Sequence, residues 1–228
     1  YNRKTNKEQF GTFFSITEHM QLNSNQFNIP VVTRNIIGIN ILMFIMTQVL
    51  GTQAYEYFAL FNYQSDYFKG WQVLTHIFMH GSFTHILFNM FGVYMFGSKL
   101  EQMWGAKRYI NFYLITGLGA AVIHTLVQNY EITQGLTSIN TPTVGASGAL
   151  FGILVAFAMY WPNTELYLMF IPIPIKAKYA VMGYAAFELF AGVSGFQTGI
   201  AHFAHLGGAL FGFLLVKYWN KNNRSSFY

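Results

Sequence analysis

Three short stretches hold the residue types that acyl transfer needs. The first is GASGALFG, residues 145–152, with Ser147 between Gly145 and Gly148. The second is AHFAHLGGALFG, residues 201–212, with His202, His205, Gly208 and Gly212. The third is HGSFTHILFNMFG, residues 80–92, with His80, His85 and Asn89. A serine hydroxyl is a poor nucleophile until a base takes its proton, and His205 is the candidate base. A developing oxyanion needs fixed donors. The Asn89 amide, the His85 ring N–H and the backbone N–H near Ser147 can supply them. No Asp or Glu is visibly placed to orient His205, so the reading is a Ser147–His205 dyad. Phe151, one turn below Ser147, offers a ring face to hold the imidazole.

The elements that must position these groups are membrane helices. Of the 228 residues, 53% are hydrophobic and 9% charged, against about 25% charged in a soluble domain. The mean hydropathy is +0.32. Six apolar segments lie near 34–51, 83–98, 109–127, 144–161, 178–196 and 200–219. A spanning helix needs about 20 residues, so the second is short as drawn; the alternative is that one or two segments are re-entrant. The expected fold is an all-α polytopic membrane protein with six transmembrane helices. It comprises an N-terminal tail over 1–30, a membrane domain over 31–220 and a short C-terminal tail over 221–228. The tail reads as loosely ordered and cytoplasmic, with no cleavable signal peptide. There are no cysteines, which excludes disulfides and thiolate metal sites. The net charge of +5 comes without an aromatic-interleaved basic patch, so no nucleic-acid partner is expected.

Lys and Arg give the orientation. Twelve of the 13 basic residues fall in the N-terminal tail and the first-helix entry, in or beside the loops after the second and fourth segments, and at the C-terminal end of the sixth, and Lys69 alone falls opposite. The positive-inside rule then makes both termini cytoplasmic. Segments two, four and six run the same way, so Ser147, His205, His85 and Asn89 fall at one shallow depth. Polar groups there are functional-site hypotheses by default. Residues 52–82 form a long aromatic outer loop suited to the lipid interface. Residues 128–143 read as an ordinary solvated loop. Pro162, Pro172 and Pro174 end the fourth helix and delay the fifth.

The small residues have two readings. Gly145, Gly148 and Gly152 share one helical face, and so do His205, Gly208 and Gly212. Both sets end in Gly-x-x-x-Gly, which by itself is a packing motif. Two such faces also let Ser147 and His205 meet. His202 reads as interfacial because it lies further out. His124 and Glu188 read as packing or hydrogen-bonding groups. His76 and His80 are four apart but have no carboxylate partner, so no metal site and no cofactor are expected.

In these motifs the sequence resembles the rhomboid intramembrane serine proteases, over roughly residues 31–220. The motifs are GASG with Ser147, AHLGG with His205 and Gly212 downstream, and HGSFTHILFNMFG with His80, His85 and Asn89. LEQMWGAKRYINFYLITG also resembles the family's segment between the second and third helices. The resemblance implies a six-helix core in a bacterial cell membrane, with a water-accessible site opening to the extracytoplasmic side. It implies Ser147 as nucleophile, His205 as base with no third member, and His85, Asn89 and the Ser147 backbone as the oxyanion hole. It implies a partly helical outer loop over 52–82 and a cap over 193–200. The implied substrates are single-span membrane proteins. Two departures stand out. Trp71 is followed by Gln72, where many members have Arg. Phe151 stands where Tyr is common.

The competing reading is a catalytically silent rhomboid-like protein that binds membrane clients, which would be expected to lack Ser147 or His205. A transporter would favour paired charges and repeats near mid-membrane. A metalloprotease would carry His-Glu-x-x-His, which is absent from the sequence.

Overall fold

The structure, a computed structural model, describes residues 29–167, 173–195 and 201–224. Residues 1–28 of the expected tail, Pro172, residues 196–200 of the expected cap and residues 225–228 lie outside the described residues.

Helices dominate the fold. They are α1 Val31–Leu50, α2 Thr52–Phe58, α3 Gln72–Thr75, α4 Phe83–Gly92, α5 Ser98–Trp104, α6 Ala106–Thr133, α7 Ser147–Tyr160, α8 Ala177–Ser194 and α9 His202–Arg224. Ser82 starts α4 by accepting from the His85 backbone N–H. A π-helical turn, Val93–Gly97, joins α4 to α5 without a break. The second apolar segment therefore runs on to Trp104, long enough to span, and ends where Gly105 takes φ 79. Apolar character fades at residue 98, but the helix continues past it.

Helix lengths set the depth of the site. The 28 residues of α6 correspond to about 42 Å, more than a ~30 Å hydrocarbon core. The 14 residues of α7 give only about 21 Å. By length and composition, α1 and α6 can each cross a bilayer, and α7 is a shorter apolar helix. One departure from an all-α chain occurs between α7 and α8. Strands β1, Glu165–Tyr167, and β2, Pro174–Lys176, pair antiparallel. The prolines that stop α7 also permit this hairpin, since Pro174 occupies the first position of its strand.

The centre of the fold is α9 packed on α6 and α7, with α7 against α6 and α8 against α9. Tyr109, Phe112 and Tyr113 of α6, Ile153 of α7 and Val216 of α9 are fully buried there. The outside is apolar: Leu42 and Val49 on α1, Phe190 and Val193 on α8, and Leu214 on α9 are exposed. Glu101, Glu188 and Asn89 are meanwhile buried. Charge inside and large apolar side chains outside is the pattern of a lipid-facing surface.

A long-range cap starts α1. Pro30 precedes the helix and provides no side-chain cap. Glu101 of α5 instead accepts from the backbone N–H groups of Val32 and Thr33, at 2.9 and 2.7 Å, and from the Thr33 hydroxyl at 2.8 Å. The carboxylate thereby satisfies donors that no helix can satisfy internally, at the positive end of the helix dipole.

Candidate active site

Ser147 is the first residue of α7, and Ala146 precedes it as the cap. The N–H groups of that first turn have no acceptor inside the helix, as at any helix N-terminus. His205 lies in the first turn of α9, one turn after Ala201, whose carbonyl accepts its backbone N–H. The Nε2 of His205 is 2.8 Å from the Ser147 Oγ. Phe151 stacks on the imidazole at 4.5 Å with the two planes 6° apart. Its lower face therefore needs no phenolic hydroxyl to hold the ring.

The glycines divide the packing between two neighbours. A Cβ at Gly208 would overlap the Gly148 carbonyl, and one at Gly212 would lie 2.7 Å from the Gly152 Cα. The missing side chains of α9 thus admit the α7 backbone. The missing Cβ atoms of Gly148 and Gly152 point mainly at α6: they would meet Ala120 and Thr116, Thr116 at 2.6 Å, with the Ala204 carbonyl of α9 also 3.5 Å from the Gly148 position. The two stripes do meet, Gly208 against Gly148 and Gly212 against Gly152, as the sequence reading has it, and the α7 glycines make room for α6 as well. Helical spacing identifies a face but not the neighbour it meets.

Gly145 makes room beside the serine. Its φ is +133, a conformation other residues rarely adopt. A Cβ there would lie 3.0 Å from the His85 Nε2 and 3.4 Å from the Ser147 Oγ. His85 and Ser147 therefore flank one small gap over the Gly145 backbone. Asn89, one turn along α4 from His85, is buried, and its Nδ2 has no partner among the described residues. The His80 ring packs edge-on against His85 at 4.9 Å. Burial pushes the His80 imidazole down to about 3, so it is neutral near pH 7.

The backbone before Ser147 is clamped, and this was not legible in the sequence. Leu60 of the outer loop pairs with Thr143 through both backbone bonds, at 2.9 and 2.8 Å. Gly145 N donates to the His76 carbonyl, and the His124 Nε2 is 2.6 Å from the Thr143 hydroxyl. The Gln128 amide donates to the Thr141 carbonyl. The segment read as an ordinary solvated loop is mostly exposed over 133–142, but it starts as the last turns of α6, and its end is held by the outer loop and by Gln128. Gln72, where the resemblance led to an expectation of Arg, is fully buried. Its amide donates to the Glu56 and Tyr67 carbonyls, each at 2.9 Å, and accepts from the Lys69 N–H. A neutral side chain thus braces the outer loop internally.

Two further readings change. His202 is buried rather than interfacial, because α8 covers that face of α9. Glu188 of α8 lies with its Oε2 2.7 Å from the His202 Nδ1 and 3.0 Å from the His205 Nδ1. The sequence had offered no carboxylate for His205, since positions on separate helices carry no spacing signal. Glu188, His202 and His205 also form the only group among the described residues whose ligand atoms converge enough to hold a metal, all within 4.8 Å.

Residues 67–221 match the Rhomboid domain family. The chain is 30% identical over 160 residues to the Rhomboid protease AarA of Providencia stuartii, covering 64% of this chain and 54% of that protein. It is 29% identical over 189 residues to the mitochondrial Rhomboid protein 1 of Saccharomyces cerevisiae, covering 82% of this chain and 52% of the relative. It is 33% identical over 152 residues to RHOMBOID-like protein 5 of Arabidopsis thaliana, covering 64% and 42%. The chain spans about half the length of the first two of these curated relatives.

Proposed function

The chain belongs to the rhomboid family of integral membrane proteins, and on that premise we propose that it is an intramembrane serine endopeptidase. Its substrates are single-span membrane proteins, cut in or near the span. The observation that carries this reading is the 2.8 Å contact between the Ser147 Oγ and the His205 Nε2, within the range of a nucleophile and its base. A silent client-binding protein has no need of that contact, and a relative named as a protease supports the same choice.

In the proposed reaction the Ser147 Oγ attacks the substrate carbonyl while its proton passes to the His205 Nε2. The carbonyl electron pair moves onto oxygen. That oxyanion sits in the gap over Gly145, facing the His85 ring and the Asn89 amide, with the first N–H groups of α7 below. Collapse expels the amine, which takes the proton from Nε2. Water then attacks the acyl-serine, gives its proton to Nε2, and Ser147 leaves as the hydroxyl. No metal or cofactor takes part.

The proposed topology has six spans over the 31–220 membrane domain, with both tails cytoplasmic in a bacterial cell membrane. Basic residues concentrated on one side support it. The short α7 supports a site sunk below the outer surface. A helix anchored near the inner face with a length of about 21 Å ends several ångströms short of the outer one. A substrate helix must unwind to expose a carbonyl there, since its backbone groups are otherwise satisfied internally.

The test is cleavage of a single-span substrate by the reconstituted protein, compared with Ser147→Ala. Loss of cleavage in the variant supports the reading. Cleavage that persists in Ser147→Ala removes it.

A further inference from the structure

Glu188 is 3% exposed on an apolar helix whose outward face is made of residues such as Phe190 and Val193. A buried carboxylate costs several kcal/mol unless it is paired. The partners that meet it among the described residues are two imidazoles, those of His202 and His205. The His202 contact is an aligned hydrogen bond at 2.7 Å. The His205 contact is within ion-pair distance at 3.0 Å, but the ring N–H is not aimed along it. The imidazole cannot tilt easily, because Phe151 lies parallel to it. The carboxyl group can turn, since the last torsion of a glutamate side chain is soft.

A metal is the other occupant this trio suggests, and the distances disfavour it. Zinc ligands lie about 2.0–2.2 Å from the ion, which sets tetrahedral ligand pairs about 3.3 Å apart. Both Glu188 contacts, at 2.7 and 3.0 Å, are shorter than that, and the His202 contact is an aligned hydrogen bond.

We propose that Glu188 is the positioning residue for His205. Its carboxylate, anchored by His202, holds the Nδ1–H side of the imidazole and leaves Nε2 to accept from Ser147. The two-residue site then works as a Ser147–His205–Glu188 triad, with the carboxylate supplied by a third helix. The inference rests on the protease reading above. It assigns the carboxylate two roles. In the resting state it selects the tautomer with hydrogen on Nδ1. After Ser147 transfers its proton, it faces the cationic ring. Proton transfer remains between Oγ and Nε2, and the carboxylate takes no proton. The remaining titratable neighbours of this arrangement are Tyr184 on the same helix, His85 of α4 and His124 of α6.

The test uses the full chain in liposomes. Glu188→Gln keeps the side-chain shape and removes the charge; it should lower kcat about 100- to 10,000-fold, with KM within about twofold. Glu188→Asp should regain part of the loss. Wild-type kcat in Glu188→Gln, or a loss carried by KM alone, overturns the proposal. Nitrogen NMR of 15N-histidine-labelled wild type gives a reading that needs no variant at position 188. The resting His205 should carry its proton on Nδ1, and a proton on Nε2 overturns the proposal. Full activity in excess chelator is expected, and loss of activity there overturns it in favour of a metal. Ser147→Ala separates the two levels. Cleavage that needs Ser147 but ignores Glu188 removes only this inference, whereas cleavage without Ser147 removes the protease reading itself.

Discussion

Gly208 of α9 lies directly against the carbonyl of Gly148 in α7, with no room between them for a single methyl group. That contact is one residue past Ser147 and three past His205, so it fixes the separation of these two side chains. Four glycines serve one 2.8 Å hydrogen bond, but they do so in two directions. Gly208 and Gly212 admit α7, whereas Gly148 and Gly152 seat α7 on α6.

Gly208→Ala should therefore disable cleavage without touching a reacting atom. The new methyl must push α9 away from the Gly148 carbonyl, and a displacement near 1 Å costs about 100-fold in rate. Gly152→Val should also impair cleavage, by pressing α7 off Thr116 of α6. Substrate cleavage and Ser147 labelling by a fluorophosphonate measure both. Wild-type rates in Gly208→Ala would mean that the glycine contact does not set the geometry.

The motifs were legible because two of them pair a polar residue with small neighbours at helical spacing and the third places His85 and Asn89 four apart, and spacing is what a sequence displays. Ser147 and His205 could be matched through their glycine stripes. Glu188 could not be matched to His205, because its helix gives no register relative to α9. The same holds for Leu60 and Thr143, and for Glu101 and the start of α1: a backbone bridge and a distant cap leave no periodic trace. Gln72 was visible only as a departure from Arg. Its role follows from the carbonyls of Glu56 and Tyr67 that the fold of the outer loop turns toward it.

Glu101→Ala should destabilise the protein by about 2 kcal/mol, since it leaves the buried Thr33 N–H and hydroxyl and the half-buried Val32 N–H without their acceptor. The residue is far from Ser147 in the fold, so the folded fraction should still cleave. Thermal denaturation in detergent, with activity corrected for folded protein, checks both statements. A change below about 0.5 kcal/mol would show that water caps the helix as well as the carboxylate does.

Stability should fall as the pH drops from 6.5 towards 4. Burial pushes the imidazole of His76 in the outer loop down to about 4, while an unfolded histidine takes a proton near 6.5. Between those values the unfolded chain binds more protons than the native one, which favours unfolding as pH falls. His80, pushed down to about 3 by burial, adds in the same direction. Unfolding midpoints at pH 7 and pH 5 should differ, and His76→Gln should narrow the difference. An equal gap in the variant would assign the effect to other groups.

Gly145→Ala tests the space in which the oxyanion is proposed to form. The substitution places a methyl 3.0 Å from the His85 Nε2 and 3.4 Å from the Ser147 Oγ, filling the gap both side chains face. It also forces a residue with a Cβ to φ +133, outside the left-handed region that other residues can visit, which costs on the order of 1–3 kcal/mol. The two effects need a control. Gly135 also has a positive φ, +70, but nothing within 4 Å of its Cβ position. Gly135→Ala should therefore carry a positive-φ penalty of its own, in the left-handed region, without filling any space, and keep its cleavage rate per folded molecule. Gly145→Ala should lose about 100- to 1,000-fold in kcat, the loss expected when an oxyanion donor is displaced. Equal activity of the two variants, measured on the same reconstituted substrate, would mean that the oxyanion does not form over Gly145.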